Sequence, residues 1–339
     1  MNTQLLNTLY IQTQGTYLRL EGDTLRIEQE KTVLRQIPLH HLGGVSIFGN
    51  VLVSPFLLYR CAQDGREVAW FGENGRFQGR LAGPVSGNVL LRRAQHQALE
   101  SASVSLYMSQ RFVESKLRNT RAILQRAVRE RGETEALALA VYEHESALRH
   151  LPQARTLDEV RGLEGNAAST YFAAFGDLLL SGEFGFDGRN KRPPRDPVNA
   201  LLGFVYSMLT TQCTAALEGV GLDPQVGFLH ALRPGRNALA LDLIEEFRAW
   251  WADRLVLSML NRKQLNPKHF EERPGGAVML GEDGRKEVVV AFQKRRQETV
   301  QHPLFKEPVA VGLLPHIQAR LMARYLRGDL PEYPPFMGK

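Results

Sequence analysis

Three stretches of the chain carry residue types suited to hydrolytic or phosphoryl chemistry. In the first, Arg161-Gly162-Leu163-Glu164-Gly165-Asn166-Ala167-Ala168, an acid stands between two glycines on a helical pattern that continues through Tyr171, Phe172 and Phe175. Glycine inside a helix costs about 1 kcal/mol, so the pair points to close approach of a backbone or a ligand to Glu164. The second stretch runs from Asp223-Pro224 to Gly227-Phe228-Leu229-His230, a turn leading into a short apolar element that ends in histidine. The third opens with Asn237 as a helix cap after Pro234-Gly235 and carries Asp242, Glu245 and Glu246 at spacings that share one helix face. Leu239, Leu241, Leu243, Ile244 and Phe247 surround these acids, and a carboxylate among apolar neighbours is costly unless paired or metal-bound. If Glu164, His230 and one or two of the helix acids meet, they form a carboxylate-plus-imidazole site suited to Mg²⁺ or Mn²⁺. The plain alternatives are a solvated Glu164 at a tight helix crossing, a structural His230 and an ordinary acidic face.

The substrate class comes from the basic residues. Arg111, Lys116, Arg118, Arg121, Arg126, Arg129 and Arg131 fall on one helical stretch, interrupted only by Glu114 and Glu130. Arg189, Lys191, Arg192 and Arg195 crowd a Pro-rich loop before Asp196-Pro197-Val198-Asn199, and Lys294-Arg295-Arg296 form a further run. Any one run reads as a solvated face; several, with metal-ligand candidates between them, point to nucleic acid. Lys116, Arg189, Arg192, Arg195, Arg236 and Arg248 are the residues assigned to DNA binding.

Composition sets the frame. In 339 residues, 42 Lys plus Arg oppose 36 Asp plus Glu for a net charge of +6, so clustering rather than total charge carries the nucleic-acid argument. With 43% hydrophobic and 23% charged residues, wholesale disorder is excluded. No run of about 18 apolar residues predicts a membrane span, and Met1 to Gly15 lack the pattern of a secretory signal. Two cysteines exclude a disulfide framework or a Cys-based zinc site, and a cytoplasmic protein is expected. The phosphate-cradling, dinucleotide, HExxH and G-x-S-x-G signatures are absent, which leaves a site assembled from distant residues.

The elements that must position these residues are legible from periodicity. Residues 1–84 read as a small β domain: strands flank a Gly22-Asp23 turn and a Glu73-Asn74-Gly75 turn, and a helix starts at Ser54-Pro55. From about Val89 the apolar spacing turns helical, with further helices over Thr134 to Leu148, Leu157 to Leu180, Asn199 to Glu218 and Ala238 to Met259. The fold class is therefore α+β, a β domain followed by an all-helical catalytic domain over 88–329, with 330–339 a loose Pro-rich tail.

Four motifs in order, Gly162 to Ala168, Arg192-Pro193-Pro194 with Asp196 to Leu202, Gly221-Leu222-Asp223-Pro224 with Gly227 to His230, and Leu239 to Leu243 with Glu245 to Arg248, resemble those of the CRISPR-associated Cas-one (Cas1) family. The resemblance covers nearly the whole chain. It implies a DNA endonuclease and integrase that inserts short foreign DNA as new spacers into a CRISPR array, by 3′-hydroxyl attack on a repeat phosphodiester. It implies Mg²⁺ or Mn²⁺ held by Glu164, His230 and Glu245, with Asp242 a further important acid; the division of labour between Asp242 and Glu245 stays open. It also implies a homodimer that assembles on double-stranded DNA with a small Cas-two (Cas2) partner, residues 1–83 supplying dimer and partner contacts. The alternative is a non-catalytic DNA-binding scaffold of the same complex.

Overall fold

Residues 8–73, 77–81, 83, 89–180, 182–190 and 193–338 are described by a computed structural model. Asn74 and Gly75 of the second turn, and Lys191 and Arg192 of the basic loop, lie outside the described residues.

The N-terminal region holds two four-stranded sheets. β1 (Thr8–Ile11), β2 (Thr16–Glu21), β3 (Thr24–Gln29), β4 (Thr32–Pro38), β5 (Gly44–Phe48) and β6 (Val51–Val53) precede α1 (Pro55–Gln63), β7 (Glu67–Phe71) and β8 (Phe77–Arg80). One sheet has the order β4-β3-β2-β6 and the other β1-β5-β7-β8. Gly22, at a positive φ of 57°, turns β2 into β3 as the sequence requires. The Ser54 hydroxyl accepts the Leu57 N–H at 3.3 Å with Pro55 in the first helical position, so α1 begins where its signals place it. The two faces of β5 serve two cores: Val45 and Ile47 join Leu18, Leu25 and Leu57 inside the N-terminal region. Phe48 instead stacks on Phe71 and Phe204 in the core of the helical region.

The remainder is largely helical: α2 (Val89–Glu100), α3 (Ala102–Arg131), α4 (Glu135–His150), α5 (Leu157–Ala174), α6 (Pro197–Gly219), α7 (Ala238–Ile244), α8 (Arg254–Asn261), α9 (Glu282–Gln297) and α10 (Leu314–Leu326). Two short ribbons, β9 (Phe270–Arg273) with β10 (Ala277–Leu280) and β11 (Thr299–Gln301) with β12 (Pro308–Ala310), interrupt it, so it is not all-helical. The α+β architecture of strands followed by helices stands. α6 is apolar and long enough to cross a membrane, but 72% of that window is buried, as in a core helix.

Two expectations are corrected. The stretch Ala238 to Met259 is not one helix: α7 stops at Ile244, a π-helical turn spans Arg248–Asp253, and α8 follows. The tail is not loose: Tyr333 and Phe336 are each 1% exposed. Phe336 N–H donates to Glu246 Oε2 at 2.7 Å, Tyr333 O–H donates to Glu246 Oε1, and Gln318 Nε2 donates to the same carboxylate at 2.8 Å. Asn119 Nδ2 in turn bridges Glu246 O and Phe336 O at 2.8 and 3.1 Å. Proline gives this segment a stiff extended backbone, and its two aromatics anchor it.

Candidate functional site

α5 begins cleanly: the Thr156 hydroxyl accepts the Glu159 N–H at 3.2 Å, and two acids stand in its first turn. Two turns on, it presents Glu164. The side chain meets Lys116 of α3, whose ammonium bonds Glu164 Oε1 and lies 2.7 Å from Glu245 Oε2. That second contact is an ion pair at hydrogen-bond distance to a nearly fully buried carboxylate. Arg248 Nη1 takes the other oxygen of Glu245 at 2.8 Å. Burial alone raises the Glu245 carboxyl, but Lys116, Arg248 and His230 outweigh it and bring it down to about 2.

The three acids of the α7 stretch point three ways, contrary to a shared face, because the helix breaks after Ile244. Glu245 faces Lys116, while Glu246 faces Tyr333 and Phe336. Asp242, fully buried, faces the Phe228–His230 segment. Its Oδ2 accepts the N–H groups of Phe228 and Leu229 at 2.6 and 3.1 Å, and its Oδ1 accepts the N–H and Nδ1 of His230 at 3.0 and 2.7 Å. A carboxylate only accepts, so His230 Nδ1 carries a proton and Nε2 is the ring nitrogen left to ligate. Gly227 makes this clasp possible: a Cβ there would stand 2.5 Å from Ala238 C and 2.8 Å from Asp242 Oδ2.

Other residues, missed in the sequence, complete the frame. Gln95 of α2 donates to the carbonyls of Asp223 and Val226 at 2.8 and 2.9 Å, and Arg161 of α5 donates to the Leu229 carbonyl at 2.8 and 2.9 Å. The Arg248 guanidinium lies 4.4 Å from the Tyr206 ring centroid, and the Tyr206 and Tyr171 hydroxyls both donate to Asp253 of the π-helical turn. Tyr171 lies seven residues after Glu164, on the same helix face, the one signal that could have linked it to the site. Asn237 starts α7 but makes no side-chain cap.

The basic assignments separate. Lys116 and Arg248 belong to the acid cluster. Arg189 sits on a loop that Asn199 folds back onto α6: Asn199 Nδ2 donates to Gly188 O at 2.9 Å and its Oδ1 accepts the Asn190 N–H at 3.1 Å. Asp196 caps α6 by accepting the Asn199 N–H at 2.8 Å, so the Asp196 to Asn199 motif builds this loop. Arg195 is exposed and Arg236 half-buried on the loop before α7. Gly162 and Gly165 meet no other part of the protein within 4 Å of a built Cβ; Gly165 instead lines an open groove of about 710 Å³, with Glu164, Ser169, Phe186, Arg189 and Arg248.

Among the described residues no three His, Cys, Asp or Glu side chains converge on one point as metal ligands. The donor chemistry nevertheless fits a hard divalent ion: two carboxylates already share one cation, Lys116, and the neighbouring imidazole is held through Nδ1, which leaves Nε2 as its ligating nitrogen. Behind Lys116, His144 is buried and Nδ1 bonds the Ala140 carbonyl at 2.7 Å. Burial pulls its pKa down from 6.5 to about 4. The folded state then takes up a proton later than the unfolded one, so stability is complete above pH 6.5 and lost as pH falls towards 4. A loss of about 3 kcal/mol, absent in His144→Gln, is expected in denaturation series over that range.

A family model described as CRISPR associated protein Cas1 matches residues 9–294. A protein of Moorella thermoacetica named CRISPR-associated endonuclease Cas1 1 is 48% identical over 338 residues, 98% of each chain. Two solved structures share the fold. One is a casposase bound to integration product, with a TM-score of 0.84 at 22% identity over 96% of this chain and 92% of that one. The other is a chain of a Cas6-RT-Cas1–Cas2 complex, with a TM-score of 0.85 at 20% identity over 99% of this chain and 36% of that one. With a family match over most of its length and a relative 48% identical over 98% of each chain, the chain belongs to the CRISPR-associated Cas1 family.

Proposed function

We propose that the protein is a divalent-metal-dependent DNA endonuclease and strand-transferase that joins short DNA fragments to a CRISPR repeat. The observation that carries this reading is the pair of carboxylates, Glu164 and Glu245, sharing one cation beside His230 at the edge of an arginine-lined groove. Glu164, Glu245 and His230 Nε2 would hold Mg²⁺ or Mn²⁺, with Asp242 orienting His230 rather than ligating. The ion, when bound, supplies stabilisation of charge at the reacting phosphoryl group and activation of the attacking hydroxyl.

The chain's own residues do the rest. Arg189 and Arg248 face the groove and are placed to hold phosphate oxygens by bidentate hydrogen bonds. The attacking group is a DNA 3′-hydroxyl or water; the bond from phosphorus to the leaving 3′-oxygen breaks, and that oxygen leaves with a proton. No protein–DNA covalent intermediate forms. Tyr171 and Tyr206 donate to Asp253, and burial raises both phenols well above their usual pKa, so neither is a nucleophile at neutral pH.

Family membership and the relative's name support the endonuclease reading, and the casposase and the Cas1–Cas2 complex that share the fold support strand transfer and a Cas2 partner. Exposed Leu52, Phe56 and Tyr59, at 67%, 73% and 64%, support a homodimer formed through the N-terminal region. Glu164→Ala and His230→Ala are each expected to lower cleavage and strand transfer into a repeat-bearing plasmid by at least about 100-fold, while the DNA complex still forms. Full activity in either variant would reject the site, whereas a wild-type chain that binds DNA but neither cuts nor transfers it would leave the scaffold reading.

A further inference from the structure

We propose that the groove where the C-terminal half of α3 meets α8 and α9 is a second nucleic-acid site, separate from the acids, that grips a phosphodiester backbone. Arg126 and Arg131 stand far in sequence from Arg295, yet the fold gathers them with Arg254 and Arg262 around a groove of about 480 Å³. Five arginines there face two acids, Glu130 and Glu298, an excess of three positive charges. Both acids are already used: Arg126 pairs with Glu130 at 2.7 Å, and Arg295 pairs with Glu298. Arg254 and Arg262 have no carboxylate partner among the described residues. Arg254 is half-buried with Arg295, Arg126 and, acting the other way, Glu298 as charged neighbours, and its guanidinium and that of Arg295 lie 6.0 and 4.8 Å from the Trp250 ring centroid.

Like charges held together and partly shielded from water repel one another unless an anion lies among them. Flat guanidinium forks match phosphate oxygens. The walls also carry Leu180, 59% exposed above the buried Leu255 and Leu257, an apolar spot suited to sugars and base edges rather than to an acidic peptide. Arg126 lies ten residues beyond Lys116 on α3, about 15 Å of helix, so the groove is outside the acid cluster. The third member of the Lys294–Arg296 run does not take part: Arg296 is buried and donates to the Thr8 hydroxyl at 2.8 Å.

The inference rests on the DNA-binding half of the proposed function and not on its catalysis, so it is tested without divalent metal. Binding of a labelled single-stranded oligonucleotide to the full chain is measured in EDTA from about 50 to 200 mM salt. The Arg254→Gln/Arg262→Gln protein is expected to lose about 1.4 from the slope of log K against log salt, equally for all sequences. The Arg254→Lys/Arg262→Lys protein is expected to keep the full slope. If the double variant misfolds by its melting curve, Arg262→Gln alone, at an exposed position, is expected to lose about 0.7. An unchanged slope in the folded variants overturns the groove alone, whereas a wild-type chain that binds no strand overturns the DNA reading as a whole. Polyglutamate competing as well as polyphosphate would assign the groove to acidic protein instead.

Discussion

Asp242→Asn is expected to reduce DNA cleavage by about 10–100-fold although Asp242 does not line the groove. The carboxylate accepts four hydrogen bonds, two on each oxygen, from the backbone of Phe228 to His230 and from His230 Nδ1. An amide has one accepting oxygen, so in either orientation its NH₂ faces two donors. If it faces Phe228 and Leu229, two buried N–H groups lose their partner, at about 1–3 kcal/mol each. If it faces His230, Nδ1 must become the acceptor and Nε2 takes the proton, which removes the lone pair the site needs. Cleavage rate at saturating Mn²⁺, Mn²⁺ affinity and the melting midpoint together check this. A rate within threefold of wild type in a folded variant would remove the clasp from the mechanism.

A chain ending at Leu330 is expected to lose its cooperative fold. It lacks Tyr333 and Phe336, both nearly fully buried, and deleting a buried aromatic costs about 3–5 kcal/mol. It also strips Glu246 of two of its three donors, the Tyr333 hydroxyl and the Phe336 N–H, leaving Gln318. Burial already raises that carboxyl to about 7 despite these bonds. The summed loss approaches the whole stability of a typical domain, about 5–15 kcal/mol. Phe336→Ala isolates one part and should shift the denaturation free energy by about 3–5 kcal/mol. A truncated chain that melts within a few degrees of the full one would show that the segment carries no such weight.

What could be read from residue order was what depends on local chemistry. The switch from strands to helices near Val89, the turn at Gly22 and the cap at Ser54 each have a cause within a few residues. Glu164, His230 and the acid stretch were singled out, but the direction each acid faces was not. No proline or glycine marks the break after Ile244; it arises where Arg248, Trp250, Trp251 and Asp253 pack into the surrounding helices, which is tertiary information. Lys116 was grouped with the outward basic residues, yet it stands four residues after Phe112 and one before Leu117, both buried, and so faces inward. The Pro-rich composition of the last residues hid the weight of their two aromatics.

The segment before His230 is held from three sides: by Gln95, 128 and 131 residues away, by Arg161, 68 residues from Leu229, and by Asp242. Contacts between such distant parts of a chain form late, since the intervening loops must first be closed. Helices α2, α5 and α7 must all have docked before the imidazole takes its place. Under the proposed function, this order would act as a safeguard: a partly folded chain would carry the basic helices that attract DNA but would acquire the arrangement needed to cut it only once folding is complete.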